Sequence, residues 1–346
     1  VIDNLSLYKD LYYSKRGEIM KILILSGDDV RRALPMQQAI GAMKRAFTQL
    51  SRGQADVPLR EALRVPRHRG VTLFMPAYLA SDDQMAVKIA SVFEDNPAKG
   101  LPLIHSLVVM VDTSTGEPCA VMDGAYLTAL RTGAASGLAT DLLAREDAQT
   151  VAIFGAGAQG RTQLEAVCAV RQIQGAWVYD TVPDRATAFV TEMSERLSLP
   201  VRVADTPADA VRQADVISTA TSSSSPIFDA ADIQPGVHIN AVGAFTPQMQ
   251  EIPTETILRA KVVVDHRETG LAEAGDLLIP IQQGLMSESH IYGELGEITA
   301  GLKPARTSPE EITVFESVGL AVQDVAAAGV ALERARRQRL GTEVVF

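Results

Sequence analysis

Between residues 20 and 112 the chain alternates short apolar runs with one amphipathic stretch. Ile22–Leu25 reads as a strand. Pro35–Ser51 sets Ile40, Met43, Phe47 and Leu50 at helical spacing, which predicts an amphipathic helix. Val71–Phe74, Met85–Phe93 and Leu103–Val111 follow as extended runs, and a loop rich in Pro, Gly and Asn separates the last two. From Val151 to about Asp265 the rhythm changes. Val151–Phe154, Ala176–Tyr179, Val201–Val203, Val216–Ala220, His238–Val242 and Lys261–Val264 are short apolar strands alternating with helical stretches. That alternation predicts an α/β fold with a doubly wound, Rossmann-type parallel sheet. Ser222–Ser225 reads as the loop leaving the fourth of these strands. Ser308-Pro-Glu-Glu311 has the form of a capping box, so a long helix is expected from there to about Arg337. The basic run Arg334–Arg339 suits the C-terminus of that helix.

A length of 346 residues exceeds the usual size of one core, so two domains are expected. The net charge of -10 argues against nucleic-acid and anionic-membrane partners, which repel an acidic protein. Cys119 and Cys168 are too few for a disulfide framework, and a reducing cytoplasm fits them. No run approaches the ~20 apolar residues of a membrane span. Residues 1–19 contain no apolar core of a signal peptide, and are expected to be an extension or an arm. Five scattered histidines show no paired spacing, so no metal site is expected. His105, in an extended apolar run, is expected to be a core residue.

The most specific local pattern is Gly155-Ala-Gly157-Ala-Gln-Gly160, directly after a strand and opening a helix. Gly155 permits a tight turn, Gly157 lets a pyrophosphate approach the backbone, and Gly160 lets helix and strand pack closely. Asp180 ends the next strand, 20 residues beyond Gly160, where an acid accepts hydrogen bonds from the adenosine ribose. It favours NAD, because it repels a 2′-phosphate. Arg185 nearby leaves NADP open.

On the strand Met85–Phe93, Lys88 shares a face with Ala86 and Ala90, opposite Met85, Val87, Ile89 and Phe93. Spacing alone leaves two readings: an ammonium in a hollow between small neighbours, or one reaching into water. Arg131 lies in a helix of small residues, Asp123–Gly137, where it is free to clamp a carboxylate or to form a surface ion pair. Arg60 is equally open. Glu294 and Glu297 could be read as a carboxylate pair, but are expected instead to cap or stabilise the return of the chain to its other domain.

These residues and their order resemble the ornithine cyclodeaminase/mu-crystallin family over nearly the whole chain from Met20. The carriers are Val57-Pro-Leu-Arg60, Met75-Pro-Ala-Tyr78, Lys88 with Asn96-Pro97, Val121-Met-Asp-Gly124, Leu130–Ser136, Val242–Pro247, Tyr292–Glu297 and Phe315–Asp324. The resemblance implies a homodimer, with a dinucleotide-binding domain (134–300) inserted into an α+β substrate-binding and dimerisation domain (20–133 and 301–346). It implies that Arg60, Lys88 and Arg131 hold a substrate carboxylate, that Gly319 touches the substrate, and that Lys88 handles protons. It further implies cofactor contacts at Thr132, Ala158, Gln159, Thr181, Thr219, Ala220, Thr221, Val242, Gly243 and Ala244, beside the glycines, Asp180 and Arg185.

Cyclodeaminases of the family look to carry an aspartate where this chain has Ala244, and alanine dehydrogenases also tend to be acidic there. A methyl group neither pairs with an amine nor relays a proton. The resemblance therefore implies the branch that reduces cyclic imino acids such as pyrroline-2-carboxylate or piperideine-2-carboxylate with NAD(P)H. Two alternatives remain: an ornithine cyclodeaminase or alanine dehydrogenase whose acid is Glu251 or Asp276, and a non-catalytic dinucleotide- and small-ligand-binding protein.

Overall fold

The computed structural model describes residues 20–345, and the expected extension 1–19 lies outside them. The chain begins with β1 (Lys21–Leu25), α1 (Gly27–Ala33), α2 (Met36–Ser51), β2 (Ala55–Asp56), β3 (Glu61–Val65) and β4 (Gly70–Leu79). β5 (Gln84–Phe93), β6 (Ile104–Val111), β7 (Pro118–Asp123) and α3 (Gly124–Leu143) follow. The βα alternation then starts with β8 (Thr150–Phe154), α4 (Ala158–Val170), β9 (Gly175–Tyr179), α5 (Pro183–Leu197) and β10 (Val201–Val203). It continues through α6 (Pro207–Val211), β11 (Val216–Thr219), β12 (His238–Ala241), α7 (Thr254–Arg259), β13 (Lys261–Val264), α8 (Arg267–Glu273) and α9 (Gly275–Gln282). The last elements are β14 (Ile291–Glu294), α10 (Leu295–Thr299), β15 (Thr313–Glu316), α11 (Ala321–Gln338) and β16 (Thr342–Val345).

Two eight-stranded sheets result. The first, ordered β16-β1-β7-β6-β5-β4-β2 with β3 on β4, is antiparallel except where β1 meets β7. Its strands alternate, as a sheet covered on one face must. Met75, Ala77, Ala86, Lys88, Val108 and Met110 are buried, and α2, α3 and α11 contribute to the same core. The opposite face presents Ile89 opposite Leu107 and Val87 opposite Val109, with Leu63 and Leu107 exposed. His105 is exposed there too, which corrects its expected place in the core. A strand with one uncovered face gives alternate residues to water.

The second sheet is parallel throughout, in the order β10-β9-β8-β11-β12-β15-β13-β14. Both faces are covered, so β11 and β12 are buried along their whole length and β8 along all but its first residue. The strand order reverses between β8 and β11, the switch point where such sheets bind ligands. The long helix α3 joins the two layers. Its glycines allow this: a Cβ on Gly133 would lie 2.6 Å from the Thr162 carbonyl oxygen of α4. Asn240 Nδ2 also donates to Thr140 Oγ1 of α3 at 3.0 Å, while Asn240 Oδ1 meets His238 Nε2 at 3.1 Å. Burial pushes the His238 imidazole down to about 3, so it stays neutral in that network.

One expectation fails near the C-terminus. No helix starts at Ser308. That segment makes a turn in which Ser308 Oγ accepts from the Glu310 N–H, and Thr313–Glu316 then inserts as β15 between β12 and β13. The β-branched and aromatic run Ile312-Thr-Val-Phe315 finds a partner strand on each side, and that pairing overrides the capping signal. Residues 313–316 therefore belong to the parallel sheet, and the chain rejoins the first layer at α11 rather than from residue 301. The short strands β7 and β14 are also absent from the sequence reading.

Candidate active site

The glycine turn follows β8 at the switch point. Gly155 has φ +96°, a conformation that only glycine adopts readily, and a Cβ there would come 2.5 Å from the Ala220 carbonyl oxygen. A Cβ on Gly160 would come 2.1 Å from the Gly155 carbonyl oxygen, so this residue sets how closely α4 packs on its turn. Gly157 has open space around it, no side chain caps α4, and Gly157 and Ala158 are exposed with Gln159 half-buried. The helix start is thus free to present backbone N–H groups to an anion. Asp180 bends back over this turn: Oδ2 accepts from the Ala156 N–H and Oδ1 from the Val182 N–H, both at 2.8 Å. Thr181 and Arg185 are exposed beside it.

The loops after β11 and β12 are tied by one buried carboxylate. Glu251 accepts from Thr219 Oγ1 at 2.7 Å, the Thr221 N–H at 2.6 Å and the Gly243 N–H at 2.8 Å. Asp276 in turn accepts from the Glu251 and Ile252 N–H groups. Burial raises both carboxyls, Asp276 strongly, with Glu251 beside it adding to the shift. Both side chains are fully enclosed and neither lines the cavity beside Arg60, which removes them as the acid that a cyclodeaminase reading requires. Thr219 likewise directs its hydroxyl inward, so any cofactor contact there falls to its backbone. Ala220, Thr221 and Val242 are half-buried at the loop surface, whereas Thr132, Gly243 and Ala244 are buried.

The three cations of the sequence reading meet at the start of α11. Lys88 is 3% exposed, which settles the two readings of its direction: it points into the interior. Its Nζ forms an ion pair with Asp324 Oδ2 at 2.7 Å, and Arg131 Nε donates to Asp324 Oδ1 at 3.0 Å. Arg131 Nη1 also donates to Gln323 Oε1. Gly319, at φ +84°, passes so close that a Cβ there would lie 2.6 Å from Arg131 Nη1. Arg60 Nη2 donates to the Gly319 carbonyl oxygen and pairs with Glu273 Oε2, each at 3.0 Å. Asp265 fixes this segment by accepting from the Gly319 N–H and Ser317 Oγ, both at 2.8 Å.

Burying charges is costly unless they are paired, and the electrostatics follow from that. Burial lowers Lys88 to about 8; Asp324 opposes the shift, and Arg131 and Arg60 add to it. Two cations share the single carboxylate of Asp324, so an incoming anion is favoured beside them. A cavity of about 90 Å³ opens next to Arg60 and Gly319, lined also by Met75 and by residues of α8. Lys88 and Arg131 sit behind it, engaged with Asp324.

Asp324, Gln323, Glu273 and Asp265 are absent from the sequence reading as site residues. Asp324 carried a signal: it is the only acid in the apolar first half of α11, where burial demands a cationic partner. Glu297 Oε2 accepts from the Glu294 N–H, a capping contact at the start of α10. Among the described residues no group of three His, Cys, Asp or Glu side chains is arranged to hold a metal.

Fold and site together define a Rossmann-type dinucleotide-binding layer joined to a mixed sheet, with a buried lysine and two arginines grouped at the start of one helix. The model of the ornithine cyclodeaminase/mu-crystallin family matches residues 20–339, and the chain belongs to that family. It is 39% identical to the Delta(1)-pyrroline-2-carboxylate reductase of Bacillus cereus, over 94% of this chain and 100% of that protein. It is 36% identical to the alanine dehydrogenase of Archaeoglobus fulgidus, over 94% and 99%. Among solved structures it superposes with TM-score 0.90 on Thermococcus litoralis Delta(1)-pyrroline-2-carboxylate reductase in complex with NADH and L-proline. The identity there is 42%, covering 93% of this chain and all of that one.

Proposed function

We propose that the protein is an NAD(P)H-dependent reductase of cyclic imino acids of the pyrroline-2-carboxylate or piperideine-2-carboxylate type, yielding the L-amino acid. The observation that carries this reading is the gathering of Arg60, Lys88 and Arg131 on the segment Gly319–Asp324 in a chain similar over its length to pyrroline-2-carboxylate reductases. The turn Gly155–Gly160 fits a dinucleotide pyrophosphate, because Gly157 is open and the helix start is uncapped. Asp180 favours NADH over NADPH by repelling a 2′-phosphate. When bound, the reduced nicotinamide supplies the hydride that the imine carbon receives.

The protein's own residues do the rest. Arg60 and Arg131 hold the substrate carboxylate, each charge-assisted hydrogen bond contributing about 1.5–3 kcal/mol. Lys88, with a proton affinity near neutrality, keeps the imine nitrogen protonated and so makes its carbon electrophilic. Asp324 fixes the lysine in place. Ala244, where other branches carry an acid, offers nothing to release ammonia. The half-exposed apolar face of the first sheet supports a homodimer, which sedimentation equilibrium would register as a two-chain mass. Both cysteines are free thiols, in keeping with the cytoplasm.

The test supplies pyrroline-2-carboxylate, ornithine and alanine separately while nicotinamide absorbance and ammonia are followed. NADH consumption with the imine and formation of L-proline is the expected result. Ammonia release from ornithine without imine reduction would overturn the reading.

A further inference from the structure

Glu273, the partner of Arg60, has no part in the chemistry described so far. Arg60 precedes β3 in the first layer, and Glu273 is the last residue of α8 in the second. Their side chains meet at 3.0 Å in the cavity beside Gly319. Only Arg60 Nη2 is used, by Glu273 and the Gly319 carbonyl. Its Nε and Nη1 have no partner among the described residues and remain available to the substrate carboxylate.

The wall of the cavity formed by α8 is acidic. Glu268 and Glu273 both line it, with His266 beside them, and Arg60 is the one Lys or Arg in the lining. Lys88 and Arg131 are committed to Asp324 behind it. An α-carboxylate therefore finds three cations on one side. A second acid group extending toward α8 finds Glu273 already on Arg60, the one guanidinium lining the cavity. Glu273 is half-buried, so solvent screens that repulsion incompletely.

Building on the reductase reading, we propose that Glu273 is a specificity-determining residue: it admits imino acids whose sole anion is the α-carboxylate and turns away dicarboxylic ones. The role is distinct from that of Lys88, because Glu273 acts on the part of the substrate away from the reacting carbon.

The experiment compares pyrroline-2-carboxylate with iminosuccinate, formed from oxaloacetate and ammonium, by NADH consumption in wild type, Glu273→Gln, Glu273→Ser and Glu273→Asp. NADH affinity and melting temperature serve as folding controls. The neutral variants are expected to raise kcat/KM for iminosuccinate relative to pyrroline-2-carboxylate at least tenfold, and Glu273→Asp to keep the wild-type ratio. An unchanged ratio in a neutral variant that binds NADH normally overturns the inference and leaves the reductase reading intact. Wild type that reduces neither imine overturns both, and this is visible before any variant is made.

Discussion

The nucleotide turn and the cation cluster solve opposite physical problems. The turn works through backbone: Gly155, Gly157 and Gly160 leave N–H groups bare at a helix start within six consecutive residues. The cluster works through side chains, drawn from the segment before β3, from β5, from α3 and from the start of α11, and buries its charges. A backbone site fails when atoms are added, because Gly155 and Gly160 have no room for a Cβ. A side-chain site fails when atoms are removed, because a buried charge loses its partner or the reaction loses its proton. The two should therefore break under different substitutions and in different observables.

The largest effect is expected from Lys88→Ala. Removing a general acid costs about 10²–10⁴-fold in turnover, while NADH affinity measured by fluorescence should stay near wild type. Affinity and turnover falling together would merge the two sites. Next comes Gly155→Ala. Forcing a side chain at φ +96° against the Ala220 carbonyl costs roughly 1–3 kcal/mol, so NADH binding should weaken about tenfold or more and the melting temperature should fall.

The pH dependence sharpens the contrast further. Lys88 titrates near 8 and must be protonated to serve imine reduction. The kcat/KM for reduction should thus be level below pH 8 and fall about tenfold per unit above it, while oxidation of L-proline, which needs the neutral amine, should rise over the same range. NADH affinity should ignore this ionisation. The smallest effect belongs to Asp180→Ala, which removes one charged acceptor at the ribose. The preference for NADH over NADPH, measured as a kcat/KM ratio, should drop by about tenfold.

The same contrast explains what was legible in the chain. The six expected strands of the parallel sheet and its glycine turn depend on local signals, namely apolar runs of three to five residues and glycines at fixed offsets, and they appear within a residue or so of their expected limits. Lys88 could be assigned a face by alternation, but its partner Asp324 is 236 residues away in sequence, and no local pattern links them. Resemblance to the family supplied the grouping of Arg60, Lys88 and Arg131; the ion pairs with Asp324 and Glu273 needed coordinates. β15 failed for a related reason. Its four residues become a strand only because β12 and β13 flank them, and locally they follow a convincing helix signal.

The proposed reduction depends on where an acid substrate is held. A crystal structure with NADH and pyrrole-2-carboxylate, a planar unreactive analogue, tests it most directly. The carboxylate is predicted within hydrogen-bonding distance of Arg60, Lys88 and Arg131, with the ring against the nicotinamide. A carboxylate bound elsewhere, with Lys88 and Arg131 still closed on Asp324 alone, would contradict it.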